Sequence, residues 1–284
     1  MRVLHEIAPF SALLDAERAD GRAVGLVPTM GALHDGHASL VRRAAEECDV
    51  VVATVFVNPL QFAPGEDLDA YPRTLDADVE LVGRSGGHLV LAPSVQEMYG
   101  DGTRTTVSVT GPLTATMEGA SRPTHFDGVA TVVAKLFAMT GRCRAYFGEK
   151  DFQQLAVVRQ MARDLSFPVE VVGCPTVREA DGLALSSRNR YLAPEERAAA
   201  PVLHRALQEG RARIEAGERD PAAVRAAMET VLATEPLVEP DYAEVVDPVT
   251  LGTPASLVGE LRLLVAARLP SARLIDNLGV GATV

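Results

Sequence analysis

The chain has 284 residues, of which 47% are hydrophobic and 23% are charged, a composition typical of a soluble globular enzyme. The chain is longer than a typical domain with a single hydrophobic core. Its length therefore predicts two domains or one large α/β domain. The formal net charge of −11 argues against a nucleic-acid-binding surface, because such a surface needs basic residues to displace counterions. An anionic ligand must therefore be held by a local cluster of cationic side chains and backbone N–H groups.

The cysteines and the N-terminal residues bear on the cellular compartment. Cys48, Cys143 and Cys174 are widely spaced and form no C-x-x-C pair and no zinc-binding pattern. We interpret them as reduced, buried thiols of a cytoplasmic protein. The N-terminal residues lack the apolar segment of a signal peptide, and no apolar run of about 18 residues occurs anywhere, so no membrane association is expected.

Strands and helices alternate through the first part of the chain. The predicted strands are at 23–27, 50–57, 88–91, 105–109, 144–148 and 169–172, and the predicted helices are at 11–19, after residue 37, at 75–84, at 129–139 and after residue 148. In the last of these helices the residues predicted to face the core are Leu155, Val158, Met161, Ala162 and Leu165. This alternation predicts an α/β fold with a Rossmann-like, doubly wound parallel sheet.

The pattern changes near residue 176, where a polar segment rich in turn-forming residues begins. It is followed by two predicted helices at 194–216 and 221–234 and by short strands at 242–246, 261–266 and 273–275. We therefore predict a Rossmann-like domain at 1–176 and a smaller C-terminal α+β domain at 177–284.

The most informative segment is VPTMGALHDGH, at 27–37, between a predicted strand and an amphipathic helix. A strand, a tight turn and a helix N-terminus bind phosphate well, because unpaired N–H groups and the positive end of the helix dipole point outward. His34 and His37 are three residues apart, so both imidazoles can reach one anion. Gly36 lets a phosphate approach the backbone. Alternatively, one histidine only caps the helix and the other lies on the surface.

Polar side chains also follow later predicted strands. Asn58 and Gln61 lie after the strand at 50–57, at the edge where open α/β sheets bind ligands. Lys150 opposes the dipole of the helix whose first turn it occupies, which indicates an anionic ligand, whereas Asp151 could simply cap that helix. Arg122 and His125 lie on the connection before the helix at 129–139, where a ligand contact and an ordinary surface position are both compatible with the sequence.

Several segments carry a family resemblance. H-x-G-H at a helix entry resembles the signature of the adenylyl-transferring α/β superfamily, which includes nucleotidyltransferases and class I aminoacyl-tRNA synthetases. Seven segments between residues 24 and 277 resemble the pantothenate synthetase (pantoate–β-alanine ligase) family: VPTMGALHDGH, FVNPLQF, DLDAYPRTLDAD, RPTHFDGVATVV, YFGEKDFQQL, PTVREADGLALSSRNRYL and VAARLPSARLIDN. FGEKD and READGLALSSRN are the most specific of them. Leu269 and Pro270 depart from the family, which more often has a glycine there.

This resemblance implies an ATP-dependent condensation of pantoate with β-alanine to pantothenate. The reaction would pass through a pantoyl-adenylate intermediate and release AMP and pyrophosphate. ATP is then a substrate, and Mg²⁺ is expected mainly on its phosphate oxygens rather than in a protein site. A homodimer and a C-terminal lid over the nucleotide are also implied.

The resemblance also assigns residues. The catalytic set is His34, His37, Lys150 and Arg188. The ATP-binding set is Met30, His34, His37, Gly148, Lys150, Asp151, Val177, Ser186, Ser187 and Arg188. The pantoate-binding set is Thr29, Met30, Gln61 and Gln154, where neutral amides preserve the nucleophilicity of the carboxylate. The residues assigned to the acyl and amine region are Asn58, Tyr71, Arg122 and His125.

Three other functions fit the sequence less well. An adenylyl transferase for a phosphorylated acceptor would share HxGH and the sheet but leaves Gln61, Gln154 and the second domain unexplained. A class I aminoacyl-tRNA synthetase fragment needs a basic face, which the net charge opposes. A non-catalytic nucleotide-binding protein would lack part of the donor set, yet all four cationic candidates are present.

Overall fold

The computed structural model describes residues 1–62 and 68–282. Asp67, which begins the DLDAYPRTLDAD motif, and the last two residues of the predicted second domain lie outside the described residues. Contacts divide the chain into a first unit, Met1–Gly148 with Gln153–Pro175, and a second unit, Glu149–Phe152 with Thr176–Val284. The sequence placed residues 149–152 in the first domain, whereas their contacts group them with the C-terminal residues.

The first unit contains a six-stranded parallel sheet, which confirms the predicted α/β class. Its strands are β1 (Arg2–Leu4), β2 (Val24–Thr29), β3 (Val50–Val55), β4 (Leu89–Leu91), β5 (Cys143–Gly148) and β6 (Val169–Cys174). They lie in the order β1-β4-β3-β2-β5-β6, and every neighbouring pair is parallel. From β2 the chain adds β3 and β4 on one side, and then crosses to add β5 and β6 on the other side of β2. The topological switch point, where such sheets bind ligands, is therefore between β2 and β5.

The helices of this part of the chain flank the parallel sheet, whose central strands are mostly buried. They are α1 (Ile7–Ala19), α2 (Asp35–Glu47), α3 (Leu75–Arg84), α4 (Val95–Tyr99), α5 (Pro112–Ala115), α6 (Glu118–Ser121), α7 (His125–Thr140) and α8 (Phe152–Asp164). α7 is buried along most of its length, and β3 has five buried residues in its burial pattern of six. Both observations agree with the continuous apolar runs that indicated a buried parallel sheet.

Two local predictions for this unit are wrong. Residues 105–109 form irregular backbone rather than a strand. Their Val107 N–H donates to Thr131 Oγ1 on α7 at 3.0 Å, so a side chain replaces a neighbouring strand as the partner. Leu165, predicted to face the core, is 49% exposed because it follows the last residue of α8.

The cysteines are only partly as predicted. Cys143 and Cys174 are buried, and burial raises the pKa of the Cys143 thiol to about 12. Cys48 is half-buried instead, because it is the C-cap residue where α2 reaches the surface. In the ranges 1–62 and 68–282, no helix combines the length and the apolar character that crossing a membrane requires.

The second unit has an antiparallel sheet, which confirms the predicted α+β character. Its elements are α9 (Pro194–Ala199), α10 (Val202–Glu215), α11 (Pro221–Leu232), β7 (Glu239–Val246), β8 (Gly259–Arg268) and β9 (Arg273–Ala282), with strand order β7-β8-β9. Leu203 and Leu207 of α10 are buried in one core with Leu263 and Val265 of β8. The single helix predicted at 194–216 is interrupted, since Pro201 has no N–H to continue α9.

The turn between β8 and β9 closes without the glycine usual in the family. Arg268 pairs with Arg273, so residues 269–272 form the turn. Leu269 N–H donates to Ala272 O at 2.8 Å, and the Leu269 side chain is buried. Ser271 N–H donates to Glu196 Oε1 at 2.6 Å, so the turn is held by these two hydrogen bonds and by burial of an apolar side chain.

Candidate active site

A buried carboxylate holds the turn that leads from β2 to the HxGH segment. Gly31 and Ala32 have positive φ values of 86° and 51°. Asp78 of α3 accepts hydrogen bonds from Ala32 N–H at 3.1 Å and from Leu33 N–H at 2.8 Å, and it is 2% exposed. Both residues lie outside helices and strands, and the carboxylate fixes the backbone that delivers His34. The sequence contained Asp78 in a family motif but did not indicate this role.

The two histidines cap α2 with their own rings. His34 Nδ1 accepts from Gly36 N–H at 3.1 Å, and His37 Nδ1 accepts from His34 N–H at 3.3 Å. A ring nitrogen that accepts from an amide carries no proton, so each neutral imidazole bears its proton on Nε2. The ring centroids are 4.1 Å apart. Capping is therefore compatible with anion binding, because it selects the tautomer whose Nε2–H donates.

Thr29 and Met30 lie at the carboxyl end of β2, beside the switch point. Thr29 Oγ1 donates to Thr54 O of β3 at 2.5 Å and accepts from Gly31 N–H at 3.2 Å. Its hydroxyl thus ties the turn to the sheet. Met30 follows β2 directly and is half-buried, which suits an apolar wall at this edge.

Asn58 and Gln61 adjoin a short 3-10 turn, Pro59–Gln61, that follows β3. Asn58 is fully buried, and Gln61 is 8% exposed. Asn58 Nδ2 donates to Gln61 Oε1 at 3.0 Å and to Gly128 O of α7 at 3.1 Å. A Cβ on Gly128 would lie 2.1 Å from the Leu60 carbonyl oxygen, so only glycine allows α7 to approach the turn this closely.

Arg122 and His125 converge on the backbone of Gln61. Arg122 Nη2 donates to Gln61 O at 3.0 Å, and His125 Nδ1 lies 3.1 Å from the same oxygen. Because a carbonyl only accepts, Nδ1 of His125 carries the proton. The structure thereby groups both residues with Gln61, and in this contact they hold the backbone that carries the amide.

Tyr71 and Gln154 complete the predicted set in the first unit. The Tyr71 ring is buried and stands edge-on to Phe62, with 5.7 Å between centroids. Gln154 is half-buried near the start of α8. Its neighbour Gln153 is buried. The Gln153 side chain accepts from Glu118 N–H at 3.0 Å and donates to Leu113 O at 2.9 Å. Of the two adjacent glutamines, Gln154 is therefore the one suited to a ligand.

In the second unit, Lys150 is positioned by the last strand. Lys150 and Asp151 belong to a 3-10 turn at Glu149–Asp151, which corrects their predicted place in the first turn of a helix. Asn277 Nδ2 of β9 donates to Glu149 O at 2.9 Å and to Lys150 O at 2.7 Å. Lys150 Nζ is 3.5 Å from Asp151 Oδ1. Gly148, which precedes this turn, is the last residue of β5.

A buried ion pair joins the polar connector to the same strand. Arg178 donates to both carboxylate oxygens of Asp276, at 2.6 and 2.9 Å, and to Asn277 O at 3.1 Å. Its Nη1 also donates to Gly182 O at 3.0 Å. Asp276 is 4% exposed. This network ties the READGLALSSRN segment to Asn277, and the sequence indicated none of its long-range contacts.

The phosphate-binding candidates of the connector lie around a second short turn. Ser186 is the N-cap of the 3-10 helix Ser187–Tyr191, and its Oγ accepts from Arg188 N–H at 3.3 Å. Lys150 and Ser186 line one small pocket of this unit, so the structure brings these two candidates together. Val177 precedes the turn, and its carbonyl oxygen accepts from Leu185 N–H at 2.9 Å.

Comparison with known proteins identifies the family. The sequence profile described as pantoate-beta-alanine ligase matches residues 2–279. The chain is 55% identical over 280 residues to a pantothenate synthetase of Thermus thermophilus, with 99% of both chains covered.

Two solved structures share the fold. A crystal structure of pantothenate synthetase from Thermus thermophilus aligns with a TM-score of 0.93 at 55% identity, covering 98% of this chain and 99% of that one. The pantoate-beta-alanine ligase of Francisella tularensis, crystallised with beta-gamma ATP and β-alanine, aligns with a TM-score of 0.81 at 30% identity, covering 98% and 97%. By sequence over nearly its whole length and by fold, this chain is a ligase that belongs to the pantoate-beta-alanine ligase family.

Proposed function

We propose that this chain condenses pantoate with β-alanine through pantoyl adenylate. In the first step a carboxylate oxygen of pantoate attacks the α-phosphorus of ATP, and the bond to the β-phosphate oxygen breaks to release pyrophosphate. In the second step the amine of β-alanine attacks the acyl carbon, AMP leaves with the former carboxylate oxygen, and the amine loses a proton to solvent. The family membership and the ATP and β-alanine bound by the Francisella relative support this reaction.

The observation that carries the proposal is the hydrogen bonding of His34 and His37. Both rings stand at the N-terminus of α2, after the strand beside the switch point, and both bear their protons on Nε2. Neutral Nε2–H donors and the helix dipole would stabilise the charge that develops on the phosphates as the α-phosphorus is attacked. Asp78 holds the turn before them, so the donors are preorganised.

The second unit would supply further contacts to ATP. We assign Lys150, Ser186, Ser187 and Arg188 to the phosphates, because their ammonium, hydroxyl and guanidinium groups donate to anionic oxygens. The shared pocket of Lys150 and Ser186 supports this grouping. The family resemblance supports Gly148 and Asp151 as ribose contacts and Val177 as the backbone contact to adenine.

Pantoate offers a carboxylate and hydroxyls on an apolar gem-dimethyl unit. We assign the amides of Gln61 and Gln154 to its polar groups and Met30 to its apolar part. The Thr29 hydroxyl is engaged with the sheet, so it would act mainly by holding the turn beside the substrate. Asn58, Tyr71, Arg122 and His125 remain assigned to the acyl and amine region, with the additional contacts described above.

Mg²⁺ would accompany ATP as its phosphate complex. In the described parts of the chain, no three His, Cys, Asp or Glu side chains form a group that could hold a metal ion. Phosphate oxygens and water suit Mg²⁺, which sheds its hydration reluctantly. When bound, the ion would neutralise charge on the leaving pyrophosphate. The resemblance further supports a homodimer of 30.1 kDa chains, which light scattering would measure.

Isotope exchange between pyrophosphate and ATP tests the proposed reaction. With pantoate present and β-alanine omitted, label should pass from pyrophosphate into ATP, because the adenylation step is reversible. Omission of pantoate should abolish the exchange. If a chain that still binds ATP shows no pantoate-dependent exchange, the proposed first step is wrong, and phosphorylated acceptors should be tested for adenylyl transfer.

Replacing Gln61 by alanine should raise the KM for pantoate about 10- to 100-fold, the loss expected for a hydrogen bond to a charged partner. The KM for ATP should change far less, because Gln61 is assigned to the acid. Steady-state kinetics with each substrate varied measures both values. Gln160→Ala is the control, because the Gln160 side chain donates to Asp164 and accepts from Arg163, both within α8. Equal weakening of pantoate and ATP would contradict the assignment.

A further inference from the structure

We propose that Tyr99 is a positioning residue for pantoate: through Asn58, its hydroxyl keeps the Gln61 amide turned with its NH₂ group toward the substrate. The inference rests on the proposed pantoate site and deepens it by naming what fixes the donor. The resemblance gave Tyr99 no role, and Tyr99 comes from a separate helix, α4.

Tyr99 is itself held firmly and donates a hydrogen bond. Its hydroxyl lies 2.8 Å from Asn58 Oδ1. Phe56 packs against the ring with 5.9 Å between centroids, and Lys135 Nζ lies 5.9 Å from the ring centroid. Burial raises the pKa of Tyr99, so the phenol keeps its proton. The group that reaches Asn58 is therefore a rigidly placed donor.

The contacts of Asn58 leave its amide only one orientation. Leu60 N–H can only donate, and it lies 3.2 Å from one end of the amide, which must be the oxygen. The carbonyl of Gly128 can only accept, and it lies 3.1 Å from the other end, which must be the nitrogen. Tyr99 adds a second donor to the oxygen end. Asn58 is fully buried, so water cannot replace any of these partners freely.

The orientation of Asn58 determines that of Gln61. Asn58 Nδ2 presents an N–H to Gln61 at 3.0 Å, so the facing atom of Gln61 must be Oε1. A reversed Gln61 amide would set two NH₂ groups against each other in a buried site. The Nε2 hydrogens of Gln61 are therefore directed away from Asn58, and they can serve oxygen acceptors such as a carboxylate or hydroxyl. Tyr99, Asn58 and Gln61 form a chain of three aligned donors and acceptors.

Tyr99→Phe removes only the hydroxyl and tests this role. Because Asn58 Oδ1 loses one of its two donors, Asn58 and then Gln61 become less restrained, and the KM for pantoate should rise about fivefold. The kcat and the KM for ATP should change less than twofold. Tyr146→Phe is the matched control: it removes another buried hydroxyl of the same unit, bonded to Glu47 at 2.9 Å, and should leave the pantoate KM unchanged.

A double-mutant cycle separates positioning from a general structural effect. In a Gln61→Ala background, Tyr99→Phe should have no further effect on the pantoate KM, because the amide that Tyr99 orients is gone. An additional fivefold rise in that background, a parallel rise in the ATP KM, or a pantoate KM unchanged by Tyr99→Phe would overturn the inference. Pyrophosphate exchange by the unmodified chain distinguishes a failure of the Tyr99 role from a failure of the proposed function. If that exchange depends on pantoate, such results refute the role of Tyr99 alone, and if it does not, the proposed function and the inference both fail.

Discussion

Replacing Lys150 by alanine is expected to slow the adenylation step about 10²- to 10³-fold, the effect typical of removing one preorganised group that stabilises transition-state charge. The ammonium would contact phosphate oxygens whose charge shifts as pyrophosphate departs. Asn277 holds the backbone of this residue from β9, so the side chain starts from a fixed point. The loss should appear in kcat more than in the KM for pantoate.

Pyrophosphate exchange and single-turnover formation of the adenylate measure this effect directly. The chain contains only two lysines, Lys135 and Lys150, among its 27 basic residues. Lys135→Arg is therefore a control for loss of the other ammonium and should retain near-normal exchange. Lys150→Arg should recover only part of the rate, because guanidinium is planar and larger than ammonium. Near-normal turnover of Lys150→Ala would remove this residue from the mechanism.

Replacing Asp276 by alanine should lower the free energy of unfolding of the second unit by about 3–5 kcal/mol, the usual result of removing one partner of a buried ion pair. Arg178 would keep its charge in a site where only 18% of its side chain is exposed, with no carboxylate to balance it. Asp276 also accepts from Asn277 N–H at 2.7 Å, so a second buried donor would lose its partner.

Urea denaturation monitored by circular dichroism measures this change. Glu209→Ala serves as the control, because Glu209 pairs with Arg213 on the exposed side of α10, where ion pairs contribute about 0–1 kcal/mol. Asp276→Asn keeps the shape and one acceptor and should lose less than the alanine variant. A midpoint for Asp276→Ala as high as that of Glu209→Ala would show that the buried pair adds little.

The fold followed from local patterns wherever one pattern dominated. α3 was predicted with both ends correct at Leu75 and Arg84, because its apolar residues recur at the helical period between clear boundaries. The strand predicted at 105–109 is wrong, because a short run of threonine, serine and valine indicates a strand only when a neighbouring strand is available. The break at Pro201 was visible in the sequence, but the helical pattern on both sides outweighed it.

The candidate site was predictable where its residues are close in sequence. His34, Gly36 and His37 were identified from their spacing at the predicted start of α2, where the two rings cap the helix. Asp78 and Tyr99 were missed, since each acts on residues more than 40 positions away and carries no local signature of that contact. Such pairs are created by the sheet topology, which brings together chain segments that no periodicity connects.

The hydrogen bonds from Asn277 to the turn that carries Lys150 have a consequence for protein synthesis. The two residues are 127 positions apart, so at about 5–20 residues per second the ribosome makes Lys150 roughly 6–25 s before Asn277. β1–β5 precede Lys150 and β6 is completed within that interval, while the turn with the ammonium lacks the strand that holds it. A nascent chain stalled before β9 should therefore fail to exchange pyrophosphate. Under the proposed reaction, an unfinished chain would then form no reactive acyl adenylate.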